Sequence, residues 1–187
     1  MSYPERIVPD ETEPGVVALH EKRYTFAFPW CEGGDVLDLG CGVGYGTAVL
    51  AGVARRVVGG DVDEDSIGYA RERYGQANAE FAVLDATALP FGDDTFDTVC
   101  SFETIEHVDR PEALVREAAR VLRPSGAFLC STPRAETTTH SPDNPYHRVE
   151  YARDDFERLL RMSFGAVELY GESRPQTPLH RLLQRVD

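Results

Sequence analysis

The sequence predicts a doubly wound α/β fold, in which a mostly parallel sheet carries helices on both faces. Short apolar runs of the length of buried strands alternate along the chain with longer helical segments. One of these runs ends in a carboxylate followed by glycines at every second position, a strand-to-helix turn typical of such sheets. Because the 187 residues contain no repeat or low-complexity tract, we expect one domain over residues 1–187.

The first part of the chain predicts an initial helix and then a strand, a turn and a second helix. Residues 16–28 have mixed apolar periodicity and lie between Pro14 and Pro29, which should bound a helix. The apolar run 36–39 predicts a buried strand. The glycine turn after it leads into small residues at 47–54, which favour a helix.

The middle of the chain continues this alternation. A strand is expected at 56–60, and a helix at 64–74 because acids crowd its first turn, where they favour the helix dipole. Runs with aromatic and β-branched residues at 81–84 and 96–102 predict two further strands.

The last part contains an amphipathic helix and a long loop. Residues 111–122 predict the helix, with Asp109 as its cap, and a turn at 124–126 leads into a strand at 127–131. Residues 132–150, with three prolines and no periodicity, predict a loop of the length that often forms a lid. Beyond it we expect a helix at 154–162, a strand at 166–170 and a short helix at 179–186.

Composition argues against several classes of protein. A formal net charge of -13 argues against nucleic acid as the main partner. No apolar run approaches the length of a membrane span, and residues 1–15 lack the regions of a signal peptide. The four cysteines are too widely spaced for a metal or redox pair. We therefore expect an acidic, cytoplasmic protein with reduced cysteines.

The turn after the first strand predicts a nucleoside site. Asp38 precedes glycines that allow a ligand to approach bare backbone, next to the N-terminus of a helix. A dinucleotide fingerprint needs glycine or alanine where this chain has Tyr45 or Thr47. The spacing therefore favours a different nucleoside, and the preceding acid suits a cation or an amino group.

The run resembles the D-x-G-x-G-x-G signature of class I, Rossmann-like S-adenosylmethionine-dependent methyltransferases, and the resemblance covers nearly the whole chain. Within that class the chain is similar to the methyltransferase type 11 and ubiquinone-methyltransferase-like group. The resemblance implies an enzyme with S-adenosyl-L-methionine as its cofactor. The residues it assigns to the cofactor are Asp38, Gly40, Cys41, Gly42, Gly44, Tyr45, Asp61, Val62, Asp85, Ala86, Phe102 and Arg23.

Four of these residues have specific roles implied by the resemblance. Asp61 looks like the carboxylate that binds the ribose hydroxyls, and Val62 would line the adenine. Asp85 would accept a hydrogen bond from the adenine amino group, or alternatively cap a turn. Arg23 would bind the methionine carboxylate, or alternatively form a surface ion pair.

A second group of residues resembles a metal site. Glu103, Glu106 and His107 are spaced i, i+3 and i+4, so they share one face if the segment is helical. His147 lies in a segment similar to the one that supplies a fourth ligand in small-RNA 2′-O-methyltransferases. Similar pairs occur in methyltransferases without metal, so a divalent metal stays an alternative. Without it His107 or His147 would be the general base, or His107 would only hold local structure.

The resemblance also bears on the acceptor and on partners. We expect a small-molecule hydroxyl as acceptor, a cofactor-covering helix within residues 1–31 as in the similar sugar-biosynthesis-linked methyltransferases, and 132–150 as the lid. The alternatives are a metal-dependent methyltransferase of RNA 3′ ends and a non-catalytic cofactor-binding partner subunit. The seventh strand of the family is missing from the pattern, and an open sheet edge would favour a homodimer or a partner subunit. His20, His140 and His180 are expected on the surface or in loops.

Overall fold

The protein, described over residues 6–171 by a computed structural model, alternates strands and helices. The strands are β1 (Asp35–Leu39), β2 (Arg56–Asp61), β3 (Ala79–Val83), β4 (Phe96–Phe102), β5 (Leu122–Ser131), β6 (Arg134–Ala135) and β7 (Tyr151–Ala152). The helices are α1 (Pro14–Cys31), α2 (Tyr45–Ala51), α3 (Glu64–Tyr74), α4 (Pro111–Val121) and α5 (Arg153–Arg161). A short 3₁₀ turn, Ile105–His107, follows β4.

The main sheet has the strand order β3-β2-β1-β4-β5, and each pair of neighbouring strands is parallel. The chain moves outward from β1 to β3 and then returns to the other side of β1 to add β4 and β5. Such a change of direction leaves a crevice beyond the carboxyl ends of the central strands. The prediction of a doubly wound parallel α/β fold is confirmed.

Helices cover both faces of this sheet because β1 is apolar on both sides. Val36 and Leu37 are adjacent and fully buried, and successive residues of a strand point to opposite faces. Val36 packs with Cys31 of α1 and Leu50 of α2, whereas Leu37 belongs to the cluster that contains Val121 of α4. None of the helices within residues 6–171 is long and apolar enough to cross a membrane.

The first helix ends later than predicted, because Pro29 does not stop it. α1 continues to Cys31 with Pro29 inside its last turn. A proline there removes only one backbone hydrogen bond from the helix, while Ala27 and Cys31 are fully buried and hold this turn in the core. The Trp30 carbonyl also accepts a 2.5 Å hydrogen bond from Thr98 Oγ1 of β4. Packing therefore outweighs the break that the proline predicts.

Two predicted turn features around α4 are wrong. Arg110, not Asp109, occupies the N-cap position, and its side chain makes no cap hydrogen bond. Asp109 instead lies 3.1 Å from Arg148 Nε. Proline at the first helical position has no N–H to satisfy, so Pro111 lessens the need for a cap. The turn predicted at 124–126 lies within β5, where the register to β4 shifts.

The strand predicted at 166–170 is also wrong. Residues 165–171 join no ladder and are mostly exposed. The Tyr170 ring lies 5.2 Å from that of the exposed Phe26 on α1. Within the described residues the main sheet ends at β5, without a sixth or seventh strand. The helix predicted at 179–186 lies outside the described residues.

The loop 132–150 folds back on itself, which the sequence does not predict. At its base β6 pairs with β7, and Thr139 forms a bridge with Glu150. The Arg148 N–H donates a 2.7 Å hydrogen bond to the Glu106 carbonyl. The loop is thereby tied to the segment that follows β4.

Candidate functional site

A cavity of about 650 Å³ opens beyond the carboxyl ends of β1, β2 and β4. The sequence-predicted residues that line it are Gly40, Cys41, Gly42, Tyr45, Asp61, Val62, Asp85, Ala86, Phe102, Glu103, Glu106, His107 and His147. The predicted residues outside the lining are Asp38, Gly44 and Arg23. Arg6, His20 and Tyr24 also line the cavity, although no sequence motif assigns them a role.

The turn after β1 requires glycine at two positions for reasons of packing as well as backbone. Gly40 has a φ of +73°, and a Cβ there would stand 2.2 Å from Thr104 Oγ1. Gly44 has a φ of +89°, and a Cβ there would lie 2.7 Å from both Ala70 and Phe81. Any side chain at either position would therefore displace the segment after β4 or the helix α3.

Asp61, at the end of β2, forms a polar wall with this turn. Its Oδ2 accepts a 2.9 Å hydrogen bond from the Gly42 N–H, and its Oδ1 accepts one of 3.0 Å from the Asp63 N–H. The N-terminal arm adds Arg6, whose Nη1 lies 2.6 Å from Asp63 Oδ2 and whose Nη2 lies 3.9 Å from Asp61 Oδ1. A Cβ at Gly42 would meet nothing nearer than Arg6, 4.0 Å away, so this part of the turn is open.

Asp38 lies beneath the turn rather than in the cavity wall. Its side chain is fully buried, and Oδ2 accepts a 2.6 Å hydrogen bond from Thr47 Oγ1, whereas Oδ1 has no partner among the described residues. Burial raises the pKa of Asp38 to about 7; the Thr47 hydrogen bond opposes this rise and the charge of Asp61 adds to it. The hydrogen bond between Asp38 and Thr47 links β1 to α2. A contact between Asp38 and a ligand stays a prediction.

Asp85 makes the turn contacts that the sequence left as its alternative role. Its Oδ1 accepts hydrogen bonds from the Thr87 N–H at 2.7 Å and Oγ1 at 2.8 Å, and these bonds lower the pKa of Asp85. The carboxylate also lines the cavity, so capping the turn does not remove it from the site. Val62, although a valine, is 69% exposed beside the cavity and adds apolar surface there with Ala86.

Three aromatic rings form the wall between the turn and α1. The Tyr24 ring lies edge-on to those of Tyr45 and Phe102, with centroids 5.8 and 5.2 Å apart. A Cβ at Gly46 would lie 1.9 Å from the Tyr24 ring. Gly46, which follows the motif, therefore makes room for this tyrosine, and the motif itself does not reveal that contact.

His20 lies in the cavity wall and not on the open surface as predicted. It is one helical turn before Tyr24 on α1, so the two side chains share a face. Burial, with the charge of Arg23 adding, lowers the pKa of His20 to about 4. The i, i+4 spacing to a tyrosine on the predicted first helix was the signal that could have identified it.

The predicted metal residues do not all meet in the structure. Glu106, His107 and His147 form a cluster in which potential ligand atoms lie within 4.8 Å of one another. Glu103 is not part of this cluster, because its φ of +51° breaks the helical continuity that the i, i+3, i+4 spacing assumes. Three of the four predicted residues thus lie close enough together to share an ion, and a metal there stays a prediction.

Glu103 is held by β5 and α1 instead. Its Oε1 accepts a 2.7 Å hydrogen bond from Ser131 Oγ, and its Oε2 lies 3.5 Å from Arg23 Nη2. Arg23 therefore forms an ion pair that is mostly buried rather than a surface pair, since only 15% of its side chain is exposed.

Glu106 is fully buried below the two histidines. Neither of its carboxyl oxygens has a hydrogen-bond partner among the described residues. Burial, with the charge of Glu103 adding, raises the pKa of Glu106 to about 8, so the carboxyl is mostly protonated at neutral pH. A cation beside it would favour the ionised form.

Hydrogen bonds assign the tautomers of the two histidines. His107 Nδ1 lies 3.0 Å from the Tyr146 carbonyl; because a carbonyl only accepts, Nδ1 carries the proton and Nε2 the lone pair. His147 Nδ1 lies 2.8 Å from Glu150 Oε1, and its Nε2 lies 3.0 Å from Asn144 Nδ2. The rings are edge-to-face with centroids 4.9 Å apart. His107 thus offers a basic nitrogen, whereas Asn144 donates to that of His147.

The parallel sheet, the glycine turn and an acid on the next strand together define a nucleoside-binding domain of the Rossmann-like class. A family model described as a methyltransferase domain matches residues 37–130. The chain belongs to this family, the class I S-adenosylmethionine-dependent methyltransferases, and S-adenosylmethionine is its cofactor.

Individual relatives agree with this assignment. A protein of Mycolicibacterium smegmatis named as a probable S-adenosylmethionine-dependent methyltransferase is 40% identical over 152 residues, which are 80% of this chain and 58% of the relative. A fatty-acid O-methyltransferase of the same species is 41% identical over 105 residues, 55% of this chain and 38% of that protein. The chain thus spans little more than half, or less, of these relatives.

A solved structure shows the same fold. An S-adenosylmethionine-dependent methyltransferase from Mesorhizobium loti superimposes with a TM-score of 0.74, covering 91% of this chain and 92% of the other at 19% identity. The described β1 to β5 sheet is therefore the Rossmann-like sheet of this class.

Proposed function

We propose that the protein transfers a methyl group from S-adenosylmethionine to a hydroxyl group of a small molecule. The observation that carries this proposal is a single cavity lined at one end by the glycine turn and Asp61, and at the other by His107 and His147. A donor and an acceptor fit side by side in such a space. The similarity to a fatty-acid O-methyltransferase supports oxygen as the atom methylated.

At the donor end we assign Asp61 to the ribose hydroxyls. Two backbone N–H groups hold its carboxylate in place, and its oxygens retain lone pairs for further hydrogen bonds. Val62 and Ala86 supply apolar surface for the adenine, and Asp85 lies beside them to accept from its amino group. The open backbone at Gly42 allows the ligand to approach closely.

At the acceptor end we assign His107 as the general base. The acceptor oxygen attacks the methyl carbon, the sulfur–methyl bond breaks, S-adenosylhomocysteine leaves, and the hydroxyl proton passes to His107 Nε2. The Tyr146 carbonyl orients the imidazole and stabilises its protonated form. Because the sulfonium already activates the methyl group, the remaining task of the protein is alignment.

We assign the loop 132–150 as a lid and the helix within 1–31 as the cover of the cofactor, in one domain over residues 1–187. Support comes from His147 and Asn144 on the loop and from His20 and Tyr24 on α1, all of which line the same cavity.

Donor binding tests this proposal directly. Isothermal titration with S-adenosylhomocysteine should show binding to the wild-type protein, and Asp61→Asn should weaken it about 10- to 100-fold, as expected for a lost charge-assisted hydrogen bond. Asp93→Asn is the matched control, because Asp93 is an exposed acid in an ion pair with Arg120, outside the cavity. Equal affinities for Asp61→Asn and the wild type would refute the ribose assignment.

Turnover separates the enzyme from the non-catalytic alternative. The release of S-adenosylhomocysteine should depend on an added hydroxyl compound in a screen of phenols, sugars and hydroxylated lipids. Tight donor binding without turnover on any acceptor would favour a partner subunit that binds the cofactor without catalysis.

The cluster of Glu106, His107 and His147 favours a second candidate, a metal-dependent methyltransferase such as one acting on RNA 3′ ends. Neither carboxyl oxygen of Glu106 has a hydrogen-bond partner among the described residues, so they suit a cation, and the bond from His107 Nδ1 to the Tyr146 carbonyl would orient its Nε2 as a ligand. His147 Nε2 would join them only after releasing its hydrogen bond from Asn144. A divalent ion there would lower the pKa of an acceptor hydroxyl. Activity that survives EDTA, with no anomalous scattering peak at the cluster after a manganese soak, would exclude this candidate.

A further inference from the structure

Both ring nitrogens of His147 are engaged, although this residue lines the cavity beside His107. Its Nδ1 lies 2.8 Å from Glu150 Oε1, and its Nε2 lies 3.0 Å from Asn144 Nδ2. A carboxylate only accepts and an amide nitrogen only donates, so Nδ1 carries the proton and Nε2 accepts. His147 would therefore have to break one of these bonds before it took up an acceptor proton or a cation.

The orientation of the Asn144 amide is set by a third contact. Its Oδ1 accepts a 3.0 Å hydrogen bond from the Tyr146 N–H, so its Nδ2 is the atom that faces His147. The carbonyl of Tyr146 in turn accepts from His107 Nδ1 at 3.0 Å. These contacts form a chain from the Glu150 carboxylate to the imidazole of His107, and neighbouring hydrogen bonds in such a chain strengthen one another.

The backbone of the same loop is fixed to the 3₁₀ turn that carries His107. The Arg148 N–H donates to the Glu106 carbonyl at 2.7 Å. Val149 is 3% exposed and packs in one cluster with Ile105. The backbone therefore fixes where the loop lies, which leaves the side-chain contacts to fix how its carbonyl faces the imidazole.

We propose that His147 is a positioning residue, which acts through Tyr146 on His107 and serves neither as the base nor as a metal ligand. This inference rests on the proposed function, because it concerns the base assigned there. With Asn144, His147 holds the Tyr146 carbonyl in place. The carbonyl keeps the proton of His107 on Nδ1 and its lone pair on Nε2.

The contact between the two imidazoles adds to this restraint. The rings of His107 and His147 meet edge-to-face, with centroids 4.9 Å apart and an angle of 79° between their planes. Only 9% of the His147 side chain is exposed, so its ring has little room to move. Its four-residue segment with Glu150, which resembles the source of a metal ligand, thus has a role that needs no metal.

The proton positions of the two histidines test the chain of hydrogen bonds without an acceptor. We label the full chain with ¹⁵N-histidine and record long-range ¹⁵N–¹H correlations at about pH 9, where ordinary imidazoles are neutral. Both His107 and His147 should show the Nδ1–H form. His147→Ala should convert His107 to a mixture of the two tautomers, and so should Glu150→Leu.

Two variants provide the controls for this measurement. Glu150→Gln keeps an oxygen that can accept from His147 Nδ1, so His107 should remain in the Nδ1–H form. His140→Ala removes an exposed histidine of the same loop and should also leave His107 unchanged. An Nε2–H form of His147 in the wild type, or an unchanged His107 in His147→Ala, would overturn the positioning role.

Turnover tests whether His147 acts through His107. The substrate is the hydroxyl compound with the fastest turnover in the screen, and EDTA is present throughout. His147→Ala should lower kcat about 10- to 100-fold, as expected when a reacting group is misplaced, and leave the Kd of S-adenosylhomocysteine unchanged. In the His107→Asn background the same change should have no further effect, because residues that act as a unit do not contribute additively.

The possible failures of these tests can be told apart. Losses that add in the double variant, or wild-type activity that EDTA abolishes, would overturn the positioning role but not methyl transfer. Wild-type kcat in His107→Asn would overturn this role together with the assigned base. A screen without turnover would refute the proposed function, whereas the tautomers would still decide the role of His147. Thermal melts identify variants that do not fold, and Glu150→Leu replaces His147→Ala in that case.

Discussion

The two ends of the cavity are built in different ways. At the donor end, the conformation of a short turn fixes the site, and its hydrogen bonds run from backbone N–H groups to Asp61. At the acceptor end, side chains from two distant segments form the site, joined by contacts between the 3₁₀ turn and the loop. The proposed donor end therefore depends on backbone geometry, whereas the proposed acceptor end depends on a network of individual side chains.

The largest effect is expected at the acceptor end. His107→Asn can still donate to the Tyr146 carbonyl but has no basic nitrogen, so kcat should fall by about 10²- to 10⁴-fold with little change in the Kd of S-adenosylhomocysteine. His140→Asn, an exposed histidine of the same loop, is the control and should keep full activity. A His107→Asn enzyme with wild-type kcat would show that this end does not supply the base.

Asp38→Asn tests the buried charge below the donor turn. The pKa of Asp38 is raised in the folded state to about 7 from an ordinary value near 3.8, so the folded protein binds this proton more tightly than the unfolded chain does. The contribution of Asp38 to stability is therefore lost as pH rises from about 4 to about 7. Relative to the wild type, the free energy of unfolding of Asp38→Asn should be little changed at pH 4 and higher by at most about 4 kcal/mol above pH 7. Denaturant unfolding across this range measures the difference, and a constant difference would contradict the raised pKa.

Gly40→Ala should test how strictly the donor turn depends on its backbone. The new Cβ would clash with Thr104 at a positive φ, so we expect a loss of about 3 kcal/mol in the free energy of unfolding. Gly42 has a similar positive φ, but a Cβ there would meet open space, so Gly42→Ala should lower the free energy of unfolding by only about 1 kcal/mol. Equal losses at the two positions would mean that backbone strain alone, and not packing, selects glycine.

The smallest effect is expected from a surface contact of the loop. Arg148→Ala removes an exposed ion pair with Asp109 but keeps the backbone hydrogen bond to Glu106. Pairs of this kind contribute about 0–1 kcal/mol, so the melting temperature should hardly change. A large drop would show that the side chain, and not the backbone, anchors the loop.

The sequence predicted the strand, the glycine turn and the helix after it well because their signals are local. Glycine spacing, a following helix and an acid at the next strand end reflect constraints within a few residues, and the structure places Asp61 against Gly42 accordingly. The strands of the main sheet were predictable for the same reason, because a buried strand requires a local run of apolar residues.

The sequence could not predict features that depend on distant contacts. The separation of Glu103 from Glu106 rests on a backbone reversal held by Ser131, which lies 28 residues away. The position of His20 depends on how α1 packs over the cavity. Local patterns contain no information about such long-range partners.

The arm that carries Arg6 has a practical consequence for work with this protein. Its guanidinium lies beside Asp61 and Asp63, so Arg6 contributes positive charge to the cavity wall. If the donor binds at Asp61 as proposed, we expect an affinity tag or a truncation that displaces Arg6 to alter donor affinity even with every motif residue intact. Because salt screens the charge of the Arg6 guanidinium, donor affinities of differently tagged proteins should be compared at the same ionic strength.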